Sequence, residues 1–400
     1  MRIIKTVVKK SGLRGLLAGG VLTLAPILSI LASEVMPDAV RFMTEAARFS
    51  VYPLSDPRDV NNGSLILYKP LPAEESAPEE AKEVERSAPS TEKKEAAFLS
   101  RNISDTDEDL SVFSEHSGLI RETTFTANGG TDFIDLPEGG QIRNCTELSA
   151  ETVYREATSP HGISLELYSD EPQVLILHTH TNESYEPSEK GYYDESYTCR
   201  SEDPENSVVS VGTAIAEELA SAGIAVLHDG TIHDDRYTGA YTRSYETTVR
   251  LLNEFPSIKI ILDVHRDAVE EEDGTRVSAV TEIDGKKAAQ FMIISAADDG
   301  SYDIPNYLEN LRFASALQQA VEARYPTLSR PILFQYCQYN QQLSVGSLLI
   351  EVGSHGNSID QAVYTGRLIG RSLAAMFAGD EIPVSTERET VPRFFIDLLR

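Results

Sequence analysis

The hydrophobic pattern of the chain changes character twice. No charged side chain interrupts residues 15–33, a run of mostly Leu, Ala, Ile and Val, whereas residues 70–95 (PLPAEESAPEEAKEVERSAPSTEKKE) hold almost nothing large enough to bury. From Pro172 onward, short apolar runs alternate with amphipathic stretches. QVLILH (173–178), AVLH (225–228), KIILDVH (259–265), RPILFQY (330–336) and SLLIEVG (347–353) are bounded by turn signals and read as buried strands. Between them, Val208, Val211, Ile215 and Leu219 share one face of a predicted helix over 207–222, with Gly223 as its stop. Residues 242–254 and 306–324 predict two more helices, and Ser358-x-x-Gln361 is a capping box opening a last one that runs to Phe377. AVTEID and AQFMIIS, around Asp284-Gly285, predict a hairpin.

Strands alternating with helices predict an α/β fold: a central, mostly parallel or mixed sheet covered by helices on both faces. Upstream, TDFIDLP and GISLELYS, separated by NGG and EGG turns, read as short strands of a small β-rich segment. The expected organisation is a basic flank with a membrane anchor (1–35), a lead-in (36–68), a charged linker (69–100), the β-rich lead-in (101–170), the main α/β domain (171–380) and an amphipathic tail (381–400) containing PRFFIDLLR. Arg2, Lys5, Lys9, Lys10 and Arg14 precede the uncharged run, and Glu34 and Asp38 follow it. This is the positive-inside arrangement, and the run is close to the roughly 20 residues that cross a bilayer. The expectation is an uncleaved single-pass anchor with the rest of the chain outside the cytoplasm. A cleaved signal peptide is the competing reading, disfavoured by Pro26 within the run and by poorly placed small residues near 31–33. The linker cannot offset its ordering entropy, and at about 3.3 Å per residue it could hold a domain up to roughly 85 Å from the membrane.

Composition narrows the chemistry. The 400 residues are 41% hydrophobic and 24% charged, which excludes whole-chain disorder and a polytopic membrane protein. A formal charge of −28 argues against a nucleic-acid partner, which needs clustered Lys and Arg. The three cysteines, Cys145, Cys199 and Cys337, form no CxxC pair, so neither a disulfide framework nor a thiolate zinc site is expected. Neither G-x-S-x-G nor a Walker loop occurs, and no cysteine lies at a motif that ties it to a base. A metal, if bound, must use His, Asp and Glu.

Three predicted strands end in such residues. The first runs into His178-Thr-His180-Thr-Asn-Glu183, the third into Asp263-Val-His265-Arg266-Asp267, and the late one into Glu351-Val-Gly353. Ligands in open α/β sheets sit beyond the carboxyl ends of the strands. Residues two apart on a strand share a face, so His178 and His180 could both address one ion, with Glu183 returning from the loop. A His/His/Glu set with an open position is how hydrolytic zinc is held; the ion acidifies a bound water and polarises the attacked carbonyl. A carboxylate must then carry the proton, and Glu351 occupies the right class of position. Singly, a strand-end His such as His178 or His265 is more often a hydrogen-bonded structural residue than a ligand; the combination favours the metal reading. His355 should border the site. Asn340 and Gln341 read as contacts to an amide substrate, although a polar loop capping a strand explains them almost as well.

At VLILHTHTNESY (174–185), HDGTIHD (228–234), ILDVHRDAV (261–269) and YNQQLSVGSLLIEVGSHGNS (339–358) the chain resembles the stage II sporulation protein P family of endospore-forming bacteria, itself similar to zinc-dependent N-acetylmuramoyl-L-alanine amidases. The resemblance implies Zn2+ as cofactor and peptidoglycan as substrate, with cleavage of the amide joining the stem peptide to N-acetylmuramic acid and an endopeptidase activity on cross-links. It also implies membrane anchoring at the septum, and action in engulfment with stage II sporulation proteins D and M. The amidase ligand order is His, Glu, His, with a catalytic Glu near the end of the chain. His265 then matches the second His and Glu351 the catalytic Glu, while the first His maps to the His178/His180 pair. For the carboxylate ligand the amidase pattern points to Glu205, at the start of the first helix, but Glu183 competes from the loop and is the one favoured. Arg266, Arg243 and Asp267 would orient the acidic stem peptide or the metal ligands. Two other classes stay open: a tether that binds peptidoglycan without cutting it, and a zinc peptidase acting on protein.

Overall fold

The computed structural model describes residues 64–70, 117–379 and 393–395. The expected anchor, most of the first lead-in and of the charged linker, and the tail apart from Arg393–Phe395 lie outside the described residues. Among the described residues no helix is long and apolar enough to cross a membrane. In chain order the elements are β1 (Leu65–Tyr68), β2 (Ser117–Thr123), β3 (Phe133–Asp135), β4 (Gln141–Asn144), α1 (Ala150–Ala157), β5 (Val174–Leu177), β6 (Tyr192–Asp194), α2 (Val208–Ser221), β7 (Val226–Asp229) and α3 (Ala240–Glu254). There follow β8 (Ile260–Asp267), β9 (Arg276–Ile283), β10 (Lys286–Ala289), β11 (Phe291–Ala297), α4 (Tyr307–Arg324), β12 (Ile332–Tyr336), β13 (Ser347–Ser354), α5 (Ile359–Ala378) and β14 (Arg393–Phe395).

Among the described residues, ten strands form one mixed sheet in the order β14-β1-β7-β5-β8-β13-β11-β12-β4-β3, and four form a second sheet, β10-β9-β2-β6. The centre of the large sheet, β7-β5-β8-β13, is parallel, and β11 joins β13 antiparallel. Period-2 alternation assigns its faces. Val174 and Ile176 of β5 pack in the main core with Val211, Ile215 and Leu219 of α2 and Leu368 and Leu373 of α5. Leu175 and Leu177 pack in a smaller cluster with Leu251 of α3. Helices therefore cover both faces, as the alternating pattern predicts. The chain goes from β5 through α2 to β7, then back through α3 to β8 on the other side of β5. The strand order reverses at β5, so a crevice opens beyond the carboxyl ends of β5 and β8.

Local signals explain most element boundaries. Ser358 and Gln361 form the expected capping box at the start of α5. Asp284 and Gly285 have φ of 51° and 71° and close the β9–β10 hairpin. The second half of that predicted hairpin divides, however. At Gln290 the chain leaves the small sheet, its side chain binding Phe125 and Thr327, and β11 enters the large one. GISLELYS is not a strand. Leu165 and Leu167 do pack on the core, but the amide of Gln173 satisfies the backbone N–H and C=O of Glu166, replacing a strand ladder. The two upstream lead-ins also do not stand apart. β1 pairs with β7, β4 with β12, and β2 with β9.

Candidate active site

β5 stops at Leu177, so His178 to Thr181 form a turn rather than strand. The alternation that would aim His178 and His180 at one ion does not extend that far. Nδ1 of buried His178 donates to the Val264 carbonyl at 2.9 Å, and its Nε2 lies 2.9 Å from Nε2 of His228. Burial holds the His178 ring down at about 4 and His228 well below its ordinary value, so both are neutral. With Nδ1 donating, Nε2 of His178 must accept from His228. Both nitrogens of His178 are committed, and the residue braces the turn without joining the cluster.

The cluster forms around His265. Its Nδ1 lies 3.3 Å from Glu183 Oε2, and its Nε2 lies 2.9 Å from Asp263 Oδ1 without hydrogen-bond alignment. The His180 ring meets His265 edge-on, with centroids 5.4 Å apart. Glu351 on β13 is the direct register partner of His265 on β8, so the two side chains are neighbours on one sheet face. Gly353 (φ 63°) bends β13 just beyond Glu351, where a Cβ would meet Asn357 Oδ1 at 2.8 Å. Asp263 also takes the backbone N–H and the hydroxyl of Thr179, at 2.8 and 2.6 Å, and so ties the histidine turn to β8.

Electrostatics single out the same group. Burial raises the Glu351 carboxyl to about 8, with Asp267 adding to the effect. Burial also acts against ionised Glu183, but the hydrogen bond and charge of His265 outweigh it and hold that carboxyl low. His265 resists desolvation because Asp263 and Glu183 raise it well above an ordinary imidazole. Two buried carboxylates thus demand a cation between them. Three buried atoms here, His180 Nδ1, His265 Nε2 and Glu351 Oε2, have no hydrogen-bond partner. Among the described residues no three His, Cys, Asp or Glu side chains already stand in metal-binding geometry. By chemistry, two imidazoles and a carboxylate from His180, Glu183 and His265 suit zinc, which would take the charge that His265 otherwise supplies as a proton. Burial keeps His180 neutral, at about 4, leaving it able to offer a lone pair.

Other expected residues stand elsewhere. Glu205 is exposed in the 3-10 turn Pro204–Asn206, so of the two carboxylates only Glu183 joins the cluster. Arg266 spends its guanidinium on the carbonyls of Ser184, Cys199 and Asp267, bracing the Glu183 loop, and its backbone N–H reaches Glu183 Oε2 at 3.1 Å. Gln341 is buried and bridges the Ala296 N–H and the Ile294 carbonyl of β11. Asn340 donates to the Tyr241 carbonyl and to Ser244 Oγ. Asn340 and Gln341 spend their side-chain donors internally rather than on substrate, while Arg266 has the alternative place expected of it, against the loop that carries Glu183. His355 binds Glu270 at 3.0 Å. Burial raises all three cysteine thiols, the wrong direction for a nucleophile.

The tyrosines were not anticipated. Tyr237 stacks on His180 with centroids 4.5 Å apart and planes 2° off parallel. Tyr241 lies against both His180 and His265, and Tyr339 against Tyr241. Tyr237 precedes α3, Tyr241 opens it and Tyr339 comes from a distant loop, so no periodicity in the sequence groups them.

The model of the stage II sporulation protein P family matches residues 55–374. Stage II sporulation protein P of Bacillus subtilis (strain 168) is 27% identical over 256 residues, which cover 59% of this chain and 61% of that protein. The chain thus spans about three fifths of the curated relative it matches. Among solved structures, an N-acetylmuramoyl-L-alanine amidase from Clostridium difficile 630 overlaps with a TM-score of 0.29 and 15% identity, over 52% of this chain and 96% of that one. The apo form of the N-acetylmuramyl-L-alanine amidase Ami1 from Mycobacterium abscessus gives 0.29 and 13%, over 51% and 98%. Overlaps this loose carry no argument. The family match takes in all four motif segments and every member of the His265 cluster, and the chain belongs to the stage II sporulation protein P family.

Proposed function

We propose that this chain is a peptidoglycan hydrolase of sporulation that cleaves the amide between N-acetylmuramic acid and the stem peptide, with zinc held by His180, Glu183 and His265. The observation that carries the reading is Glu351. It is a buried carboxyl with one oxygen unpartnered, in register with His265, which itself lies 3.3 Å from Glu183. Zinc, when bound, polarises the attacked carbonyl and acidifies water. Glu351 takes the proton of the attacking water as oxygen bonds to the carbonyl carbon. The carbon–nitrogen bond then breaks, and Glu351 returns the proton to the leaving nitrogen. A carboxyl whose affinity for protons lies near neutrality suits both halves of this exchange. The Asp263 carboxylate sits 2.9 Å from His265 Nε2 and favours positive charge there, while Arg266 and the His178–His228 pair hold the loop carrying His180 and Glu183.

The remaining family implications belong to the same proposal: endopeptidase action on cross-links, attachment through the N-terminal apolar run, and assembly with stage II sporulation proteins D and M. The direct check is release of soluble fragments from purified sacculi by protein stripped with a chelator and then resupplied with zinc. Release should vanish on stripping and return with zinc, and metal analysis should give one zinc per chain. Full release by the stripped protein overturns the metal assignment. Binding to sacculi without release overturns the hydrolase and leaves a tether.

A further inference from the structure

The stem peptide is an acid, and the cluster it must approach is itself rich in carboxylates. Asp263, Glu183, Glu351 and Asp234 all lie buried around His265 and His180. An anionic substrate needs a fixed cation there. Most of the arginines nearby are buried and spent. Arg266 and Arg243 bind backbone carbonyls, Arg330 pairs with Asp267 at 2.8 Å, and Arg276 pairs with Glu186 at 3.2 Å. Arg200 differs. We infer that its guanidinium is a substrate-binding group, which takes the free carboxylate of the second residue of the stem peptide. The inference rests on the hydrolytic reading above and names the acidic group that the same site recognises.

Two independent contacts place Arg200 beside Glu183 and His180. The first is backbone pairing. The Ser184 N–H donates to the Cys199 carbonyl at 3.0 Å and the Ser201 N–H to the Asn182 carbonyl at 2.9 Å. Glu183 and Arg200 are therefore the non-hydrogen-bonded pair of an antiparallel bridge, whose side chains leave on one face at close approach. Cys199, with φ of 52°, also accepts a hydrogen bond from Arg266 on its carbonyl, which fixes the bridge from behind. The second contact is ring packing. The guanidinium carbon of Arg200 lies 5.4 Å from the Tyr237 ring centroid, and that ring stacks on His180 at 4.5 Å. These separations keep Arg200 within about 10 Å of the His180 ring. Nη2 of Arg200 pairs with the buried carboxylate of Asp234, whose other oxygen takes the Asn182 N–H. Among the described residues no other group accepts a side-chain hydrogen bond from Arg200, and its side chain is 34% exposed. Held at one nitrogen and laid on a ring, the guanidinium keeps N–H groups for a second carboxylate.

The reach of the substrate agrees. A glutamate joined onward through its side chain keeps its α-carboxylate, which in the second stem position lies about 6–8 Å from the nitrogen of the scissile amide. The test compares two soluble substrates cleaved by the full chain. One is N-acetylmuramoyl-L-alanyl-D-glutamate with a free α-carboxylate, the other its α-carboxamide, each with the side-chain carboxyl capped as a methylamide. Wild type should cleave the acid with a kcat/KM about 10–10²-fold higher, the worth of a hydrogen bond to a charged group. Arg200→Gln should cleave the acid no faster than the amide. Arg200→Lys keeps a charge for Asp234 but loses the planar fork, and should retain only part of the preference. A residue that only braces the loop would, when replaced, slow both substrates together, so variants that keep the wild-type ratio overturn the assignment. A wild type that releases fragments from sacculi yet treats acid and amide alike also overturns it, and that measurement needs no variant to fold. A wild type that releases nothing from sacculi overturns the hydrolytic reading, and this inference with it.

Discussion

At the scale of single residues, the site is made by polar groups that interrupt apolar strands, and this is why much of it was legible. His265 and Glu351 end runs of Ile, Leu and Val, where an imidazole or carboxylate is unfavourable unless it has a task. His178 shares that signature but has a different task, because the strand ends one residue before it and its ring turns to Val264 and His228. A strand boundary shifted by one residue lies within the error of any sequence pattern, and here it separates His178, which braces the turn, from His180, which meets His265. Asn340 and Gln341 differ from the sequence pattern for a related reason, since backbone groups near a site need partners as much as substrates do. The His178–His228 pair carries its own prediction. Both folded rings have a lower proton affinity than the unfolded value of 6.5, so the unfolded chain takes up protons that the folded one refuses. Their contribution is whole above pH 6.5 and is lost as the pH falls toward about 4. At about 1.4 kcal/mol per pH unit, His178 alone accounts for about 3 kcal/mol. Urea midpoints across that window should fall with the pH, and less steeply in a His228→Gln protein; a flat wild-type midpoint would refute the pairing.

Among the elements, helices were the easier reading because their apolar faces recur every turn and their ends carry caps. Residues 162–169 alternate like a strand yet are none, since nothing in the pattern reveals that Gln173 satisfies their backbone. The insertion between Glu183 and α2 was equally unreadable. It pairs its own short strand, β6, with β2, and it carries Glu205 away from the cluster. The close packing of α2 on α5 yields a second prediction. Gly366 faces α2 so closely that an added Cβ would stand 2.8 Å from the Val211 carbonyl oxygen. Helix propensity favours alanine over glycine by about 1 kcal/mol, whereas overpacking against backbone costs about 1–3 kcal/mol. Gly366→Ala should therefore destabilise the protein by roughly 1 kcal/mol in chemical denaturation. A gain in stability would show that the two helices can separate without loss.

For the molecule as a whole, α/β layering was evident from alternating elements, but the extent of the sheet was not. The outermost strands of the large sheet come from short segments far apart in the chain, β14 and β1 at one edge, β4 and β3 at the other. β1 shows the consequence. Leu65, Leu67 and Tyr68 are buried, and the strand covers the edge of β7, which carries His228. A chain beginning at residue 60 keeps this strand; one beginning at residue 71 loses it, at roughly 1.5–3 kcal/mol for each buried leucine. The shorter chain should melt earlier and bind an apolar dye. Equal melting of the two would mean that β1 is not part of the core. The net charge of −28 does not mark the site. The site instead depends on a few buried carboxylates of which Glu351 is central. The most direct measurement is mass spectrometry of the fragments released from sacculi by wild type and by Glu351→Gln. Hydrolysis at the proposed bond predicts stem peptides with a free L-alanine amine from wild type, and from Glu351→Gln a yield lower by about 10²–10⁴-fold. Fragments whose new amine lies elsewhere, or an undiminished yield from Glu351→Gln, would contradict it.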